Sequence, residues 1–267
     1  LISDFISAHD CFECHQQHFE EWSNSMHASS LSDPLFFSMW ITERQERPLT
    51  GHNYCIQCHA PTAYTADYDM SDITTLEQLT QLPSSIIEGV TCTFCHTMVG
   101  NSHSVFTEDN VAATIGFEIE NGEHESDYHL NPGAGVFYGS MDQPADNLFH
   151  ESHTLGLFSE SISCLPCHDQ VIRGKEVETT FTEWNRVPGF GMGGGNSCQS
   201  CHMPQRSDGY HDHTFAGVDI DFDNPSNPEI LNANQMLLET ALYMEFGNLS
   251  EANISDLDIG DTLKIPV

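Results

Sequence analysis

Cys11-Phe12-Glu13-Cys14-His15 is the first of five stretches with one pattern. Cys55-Ile56-Gln57-Cys58-His59, Cys92-Thr93-Phe94-Cys95-His96, Cys164-Leu165-Pro166-Cys167-His168 and Cys198-Gln199-Ser200-Cys201-His202 are the others. Together they use all ten cysteines, and each C-x-x-C pair is followed at once by histidine. With 16 histidines in 267 residues, histidine falls at a given position by chance about 6% of the time, so five in five is an accident of about one in a million. A zinc ribbon or a disulfide framework also uses C-x-x-C pairs or an even cysteine count, but neither explains the histidine. c-type haem attachment needs all three residues. The two thiols add to the haem vinyl groups as thioethers, and the adjacent imidazole reaches the iron as proximal ligand.

Five covalently bound haem c groups are therefore expected. Cys11, Cys14, Cys55, Cys58, Cys92, Cys95, Cys164, Cys167, Cys198 and Cys201 would attach them, and His15, His59, His96, His168 and His202 would be the proximal iron ligands. Haem is ligated to exported apocytochromes outside the cytoplasmic membrane, so a periplasmic or extracellular location is expected. The sequence starts at Leu1 with no basic and apolar leader, which is read as an export signal removed or left out of the numbering. Five haems leave about 53 residues each, too few for separate globin-like shells. The haems are then expected to form the core and to pack against one another at tunnelling distance. The fold expected is mainly α with much irregular loop and few short strands, a haem-packed multihaem cytochrome c.

Between the motifs nothing repeats, so a solenoid is excluded. Helical patterns cover residues 16–27, 34–46, 75–82 and 154–163, the second opening with Asp33 as N-cap and Pro34 in the first turn. Val111 to Ile119 alternates weakly and suggests a hairpin, whereas 120–147, rich in Asn, Gly, Asp and Pro, reads as a long irregular connection. The glycine run from Gly189 to Gly195 lacks the following Lys-Ser/Thr of a phosphate cradle and reads as close backbone approach to a haem face. After His213 there are no more histidines or cysteines. A pentahaem electron-transfer domain over 1–215 and a haem-free C-terminal segment over 216–267 follow. That segment holds an amphipathic helix over about 227–249, with Ile230, Leu231, Met236, Leu237, Leu238, Leu242 and Met244 at helical spacing, and a strand-like end from Asp256 to Val267. An unpaired edge strand could pair at home, begin a further domain or add to a neighbouring subunit.

Each iron also needs a sixth ligand or an open site. The pool is the eleven histidines outside the motifs: His9, His18, His27, His52, His103, His124, His129, His150, His153, His211 and His213. Cys11 to His15 followed by Trp22-Ser23-Asn24-Ser25-Met26-His27-Ala28 resembles the C-x-x-C-H…W-x-x-S-x-H-A opening of the cytochrome c-554 family of multihaem cytochromes. Glu88-Gly89-Val90-Thr91-Cys92 to His96, followed by His103, is similar to the central haem site of that family. His150 precedes Cys164 as the family's distal ligands do, and Cys201-His202-Met203-Pro204 with Asp212-His213-Thr214-Phe215-Ala216-Gly217 is similar to its closing motif. The resemblance spans about residues 11–217 and implies His27, His103, His150 and His213 as distal ligands. It does not identify the fifth. His52, just before the second motif, is the choice, with His18, His129 and His153 in reserve. His18 has a second reading, a hydrogen bond to a haem propionate.

The net charge is −33, from 40 acidic and seven basic residues. Nucleic acid is excluded as a partner, since no cationic patch can form. No run approaches the roughly 18 apolar residues of a membrane-spanning helix. Haem propionates add further carboxylates, more than seven basic residues can pair, so backbone N–H groups, hydroxyls, water or a cation must satisfy some of them. Asp219, Asp221 and Asp223 beside Asn224 suggest Ca2+, although the pattern is no EF-hand. The functional expectation is electron transfer through closely packed, low-potential bis-His haems. The protein would act as a carrier for redox partner proteins, or as the subunit of an extracellular filament that passes electrons to external acceptors. Such a homopolymer would form by haem stacking and the C-terminal strand. The alternative is a pentahaem reductase of a small nitrogen or sulfur compound, which needs one five-coordinate haem. All five motifs end in His, unlike pentahaem nitrite reductases with Lys at the active haem.

Overall fold

Gly, Pro, Asn and Ser interrupt the chain so often that most helices are one or two turns long. The computed structural model describes residues 2–47, 51–101, 113–118, 124–145, 147–172, 175–187, 191, 195–217 and 227–241. After a single 3₁₀ turn at Ile2–Asp4 come α1 (Ala8–Phe12), α2 (Gln16–Ser23), α3 (Met26–Ser29), α4 (Pro34–Glu46), α5 (Gly51–His59) and α6 (Pro61–Thr65). Next are α7 (Leu76–Leu79), α8 (Ser84–Ile87), α9 (Cys92–His96), α10 (Leu165–His168), α11 (Thr180–Arg186), α12 (Cys198–His202) and α13 (Pro228–Ala241). The strands are β1 (Met98–Asn101), β2 (Ala113–Glu118), β3 (His124–Leu130), β4 (Val136–Gly139), β5 (Glu151–Thr154), β6 (Gln170–Ile172) and β7 (Lys175–Glu178). Short helices joined by much loop, with few short strands, match the fold class expected.

Side-chain caps start three of the helices that carry haem motifs. Thr91 Oγ1 accepts from the Phe94 N–H at 3.2 Å and opens α9 at Cys92, and Ser197 Oγ accepts from the Ser200 N–H at 3.2 Å and opens α12 at Cys198. Ser7 Oγ does the same for α1, accepting from His9 N–H at 3.1 Å. α4 begins as expected: the Asp33 carboxylate accepts from Phe36 N–H at 2.6 Å, and Pro34 occupies the first turn.

Four expectations need correction. The helix expected over 16–27 breaks after Ser23. There the Asn24 amide donates back to Glu20 O (2.7 Å) and Ser25 Oγ to Trp22 O (2.7 Å), so side chains compete with the helical ladder. Over 75–82 only Leu76–Leu79 is α-helical, and Pro83 follows closely. Over 154–163 the chain leaves β5 and makes two 3₁₀ turns, Gly156–Ser159 and Ser161–Ser163, a glycine- and serine-rich stretch that favours local bonds over a continuous helix. Finally, 120–147 is not a long irregular connection, since it contains β3 and β4.

The hairpin expected near 111–119 is present: β2 pairs antiparallel with β3, and β1 flanks β3 on its other edge in the order β1-β3-β2. β4 and β5 pair in parallel, and β6 and β7 antiparallel. Apolar side chains gather into two small cores. One holds Phe5, Phe94, Met98, Leu130, Leu157 and Phe181, and the motif cysteines Cys58, Cys95 and Cys167 pack against it. The other, under α4 to α8, holds Leu31, Phe37, Trp40, Ile56, Met70 and Ile86. α13 is anchored through Ile230, which is buried, and through Asn234 Oδ1, which accepts from Gly217 N–H at 3.1 Å. Leu231, Met236 and Leu238 on the same helix are exposed. Residues 242–249 and the strand-like end over 256–267 lie outside the described residues.

Candidate haem-binding site

Three of the motif histidines are held by one ring nitrogen. Nδ1 of His59 lies 2.8 Å from Ser30 O, that of His96 2.7 Å from Tyr138 O, and that of His202 2.6 Å from Ala216 O. A carbonyl can only accept, so Nδ1 carries the proton and Nε2 keeps its lone pair for a metal. This backbone anchoring fixes both tautomer and ring direction. The same device recurs outside the motifs, with His213 Nδ1 at 2.9 Å from His211 O and His211 Nδ1 at 2.7 Å from Met203 O. His150 Nδ1 lies 3.2 Å from Glu151 O and 3.1 Å from Ser152 Oγ.

Three motif rings each face one distal ring at nearly the same spacing. Ring centroids are 6.3 Å apart for His15 and His150, 6.2 Å for His96 and His213, and 6.2 Å for His27 and His168. Two imidazoles bound through Nε2 on opposite sides of one metal, each bond about 2 Å long, place their centroids about 6 Å apart. The donor set therefore fits iron held between paired imidazoles, with two thiols beside each motif histidine. Among the described residues no cluster of three or more His, Cys, Asp or Glu forms a bare metal-ion site.

Burial lowers the proton affinity of these rings, so they stay neutral. For His27, burial and then the His168, His202 and His59 rings bring the pKa down to about 4; for His213, burial and then His96 bring it to about 3. His15, His59, His96 and His168 are also lowered, chiefly by burial.

The thiols show which motifs are neighbours. The neighbouring Cys92 thiol lowers the Cys11 pKa, and the Cys11 thiol with burial raises that of Cys92. The Cys167 thiol and burial raise Cys58 well above its ordinary value, the Cys198 thiol and burial do the same to Cys164, and Cys164 brings the Cys198 pKa down to about 6. Cys95 is raised to about 12 by burial and then by the nearby Cys167. The first motif thus lies beside the third, the third beside the fourth, and the fourth beside both the second and the fifth. Phe215 links the two groups of rings, edge-on to His27 at 4.4 Å and to His213 at 6.0 Å between centroids.

Of the distal residues expected, His27, His150 and His213 face motif histidines. His150 comes to His15 rather than to the motif that follows it, and the ring facing His96 belongs to His213. His103 lies outside the described residues; His52 is on α5 and His129 on β3, but their side chains are outside the description. His153 is set apart, its Nε2 3.5 Å from Glu151 and its ring beside Tyr138. His18 stands 6.0 Å from His15, but its Nε2 faces Arg206 Nη2 at 3.5 Å. Sequence reasoning passed over His211, whose Nδ1 is anchored like that of a ligand; the signal was its place two residues before His213. It also passed over Arg206, whose Nη1 donates to both Glu21 carboxylate oxygens (2.6 and 2.7 Å), while Glu21 accepts from the His213 N–H (3.0 Å). Asp219, Asp221, Asp223 and Asn224 lie outside the described residues, as does most of the glycine run. Gly191 does make a close backbone approach, but to the Asn185 carbonyl, which an added Cβ would meet at 2.7 Å.

Residues 10–97 match the family model for cytochrome c554 and c-prime. The chain resembles that family of multihaem c-type cytochromes. The crystal structure of a penta-heme cytochrome c552 from Thermochromatium tepidum shares the fold, with a TM-score of 0.56 and 22% identity. The match covers 80% of this chain and 57% of that one, so the chain spans little more than half its length. No curated protein matches the chain. The five motifs and the resemblance to cytochrome c554 support haem c as cofactor and electron transfer as the role. No described helix is long and apolar enough to cross a membrane.

Proposed function

We propose that the chain carries electrons between redox partners through five covalently attached haems, three of them held between His15 and His150, His96 and His213, and His168 and His27. The observation that carries this reading is the common spacing of those three ring pairs, 6.2 to 6.3 Å. Haem c, when bound, supplies the Fe(III)/Fe(II) couple. The protein's own part is to anchor the Nδ1 of His96, His150 and His213 on carbonyls, to keep His15, His27, His96, His168 and His213 neutral by burial, and to bring the motifs close together. Haem iron bound by such a pair of histidines would have no position left for substrate. The thiol contacts favour an order in which the first motif leads to the third and fourth, with the second and fifth both reached from the fourth.

A reductase is the second reading, and His59 and His202 are the motif histidines it concerns. Among the described residues no histidine ring faces either of them at the spacing of the three pairs. An open iron at one of them would suit reduction of a small nitrogen or sulfur compound. Five haems by intact mass, with rapid reduction of all five by one low-potential donor and no turnover of nitrite, hydroxylamine or sulfite, is the result expected of a carrier. Turnover of one of these compounds with a high-spin iron would establish the reductase, and fewer than five haems would overturn the five-centre reading. Location in the periplasm or outside the cell follows from haem attachment chemistry and is tested by fractionation. Size-exclusion chromatography of the holoprotein separates a discrete carrier, the form proposed here, from a polymer.

A further inference from the structure

One motif histidine is set against a column of planar groups. Phe36, Trp40 and Arg44 are spaced four residues apart along α4 and so share one face of the helix. The Phe36 ring lies flat on the His59 ring, with centroids 3.7 Å apart and planes 7° from parallel. Trp40, fully buried, lies parallel behind Phe36 at 6.5 Å and 8°, and the Arg44 guanidinium lies over Trp40 at 4.8 Å. Arg44 is itself held, donating to Ile73 O at 2.6 Å and to Ser71 O. In the plane of the imidazole, His59 Nδ1–H donates to Ser30 O at 2.8 Å. The ring is thus fixed in its plane by a hydrogen bond and on one face by a phenyl group.

The geometry is chemically informative. Two neutral aromatic rings prefer offset or edge-to-face contact to a flat sandwich. A phenyl face does attract positive charge, and an imidazole bound to iron is electron-poor, more so when the iron is ferric. The other aromatic contacts of ligand histidines are looser or edge-on: Phe158 lies parallel to His96 at 5.6 Å, and Phe215 stands perpendicular to His27.

We propose that Phe36, backed by Trp40 and Arg44, is a positioning residue that fixes the plane of the His59 imidazole and favours the ferric state of the haem iron bound there. The inference rests on the haem reading of the second motif and adds a control of its potential. It acts through His59, and Phe36 itself touches no reacting atom.

The test uses holoprotein carrying Phe36→Leu, which keeps apolar bulk but removes the π face, beside Phe36→Tyr, which keeps it. Potentiometric titration should show one of the five midpoint potentials shifted upward in Phe36→Leu and unshifted in Phe36→Tyr. Low-temperature EPR should show one low-spin signal altered in Phe36→Leu alone. Unmoved potentials in fully loaded Phe36→Leu, or the same shift in both variants, would overturn the proposal. If Phe36→Leu does not accumulate, Phe36→Met serves with the same two outcomes. Mass spectrometry of the peptide holding Cys55 and Cys58 separates the two levels of the argument. A wild-type peptide without haem overturns the haem reading itself, whereas a loaded peptide with unmoved potentials overturns only the role of Phe36.

Discussion

Replacing Gly89 by alanine tests how the His27 ligand is held. Gly89 has φ +67°, where a side chain costs about 1–2 kcal/mol. An added Cβ would also stand 2.5 Å from His27 O and against Ser30 Oγ. Overpacking of this kind costs about 1–3 kcal/mol. The Val90 N–H bond to His27 O, 3.0 Å long, is then strained or lost, which removes about 1 kcal/mol more. Gly89→Ala should therefore destabilise the protein by about 3–6 kcal/mol. Gly135 is the control: its φ is +70° and nothing lies within 4 Å of its virtual Cβ, so Gly135→Ala should cost only the backbone term, about 1–2 kcal/mol. Equilibrium unfolding in guanidinium, followed by circular dichroism at unchanged m-value, measures both. The backbone of His27 must shift in Gly89→Ala, so one haem should also gain high-spin character. Equal costs for the two variants, with an unchanged low-spin spectrum, would refute the reasoning that close approach of Gly89 positions His27.

His27→Ala, His150→Ala and His213→Ala should each convert a single haem to high spin, while His153→Ala should leave the low-spin count unchanged; spin quantification by EPR decides each case. Arg206→Leu should cost about 2–4 kcal/mol, because it leaves the largely buried Glu21 carboxylate without its cation. The double variant with Glu21→Leu should recover part of that loss in a double-mutant cycle. Asp33→Ala removes the N-cap of α4 and should cost about 1 kcal/mol in denaturant unfolding.

The haem motifs were legible because thioether attachment and proximal ligation need residues contiguous in sequence. α4 was legible for a similar reason, since its cap and first turn are local. Distal ligation is not local. Nothing in the spacing of His150 ties it to His15, and the contacts that set His213, its N–H on the Glu21 carboxylate and its ring on the His211 carbonyl, are equally invisible in its spacing from His96. The resemblance to cytochrome c554 pointed to His27, His150 and His213, whose rings the structure brings near motif histidines, without indicating the partner of each. β3 is built from His-Glu-Ser-Asp-Tyr-His-Leu and is held by backbone pairing on both edges, so its polar composition concealed it. The stretch over 154–163 has helical spacing of apolar residues, but its glycine and serines settle into 3₁₀ turns.

Ligand-plane orientation offers the most direct test of the three imidazole pairs. The rings of His27 and His168 are 81° apart, nearly perpendicular, whereas those of His15 and His150 differ by 32° and those of His96 and His213 by 27°. Perpendicular imidazoles leave two iron d-orbitals nearly degenerate and give a strongly anisotropic low-spin signal; near-parallel rings split them and give rhombic signals. EPR of the fully oxidised holoprotein, with spins counted against total haem from the pyridine haemochrome, should resolve at least three low-spin irons per chain, one strongly anisotropic and two rhombic. Fewer than three low-spin irons per chain, or no strongly anisotropic signal, would contradict the paired-imidazole account.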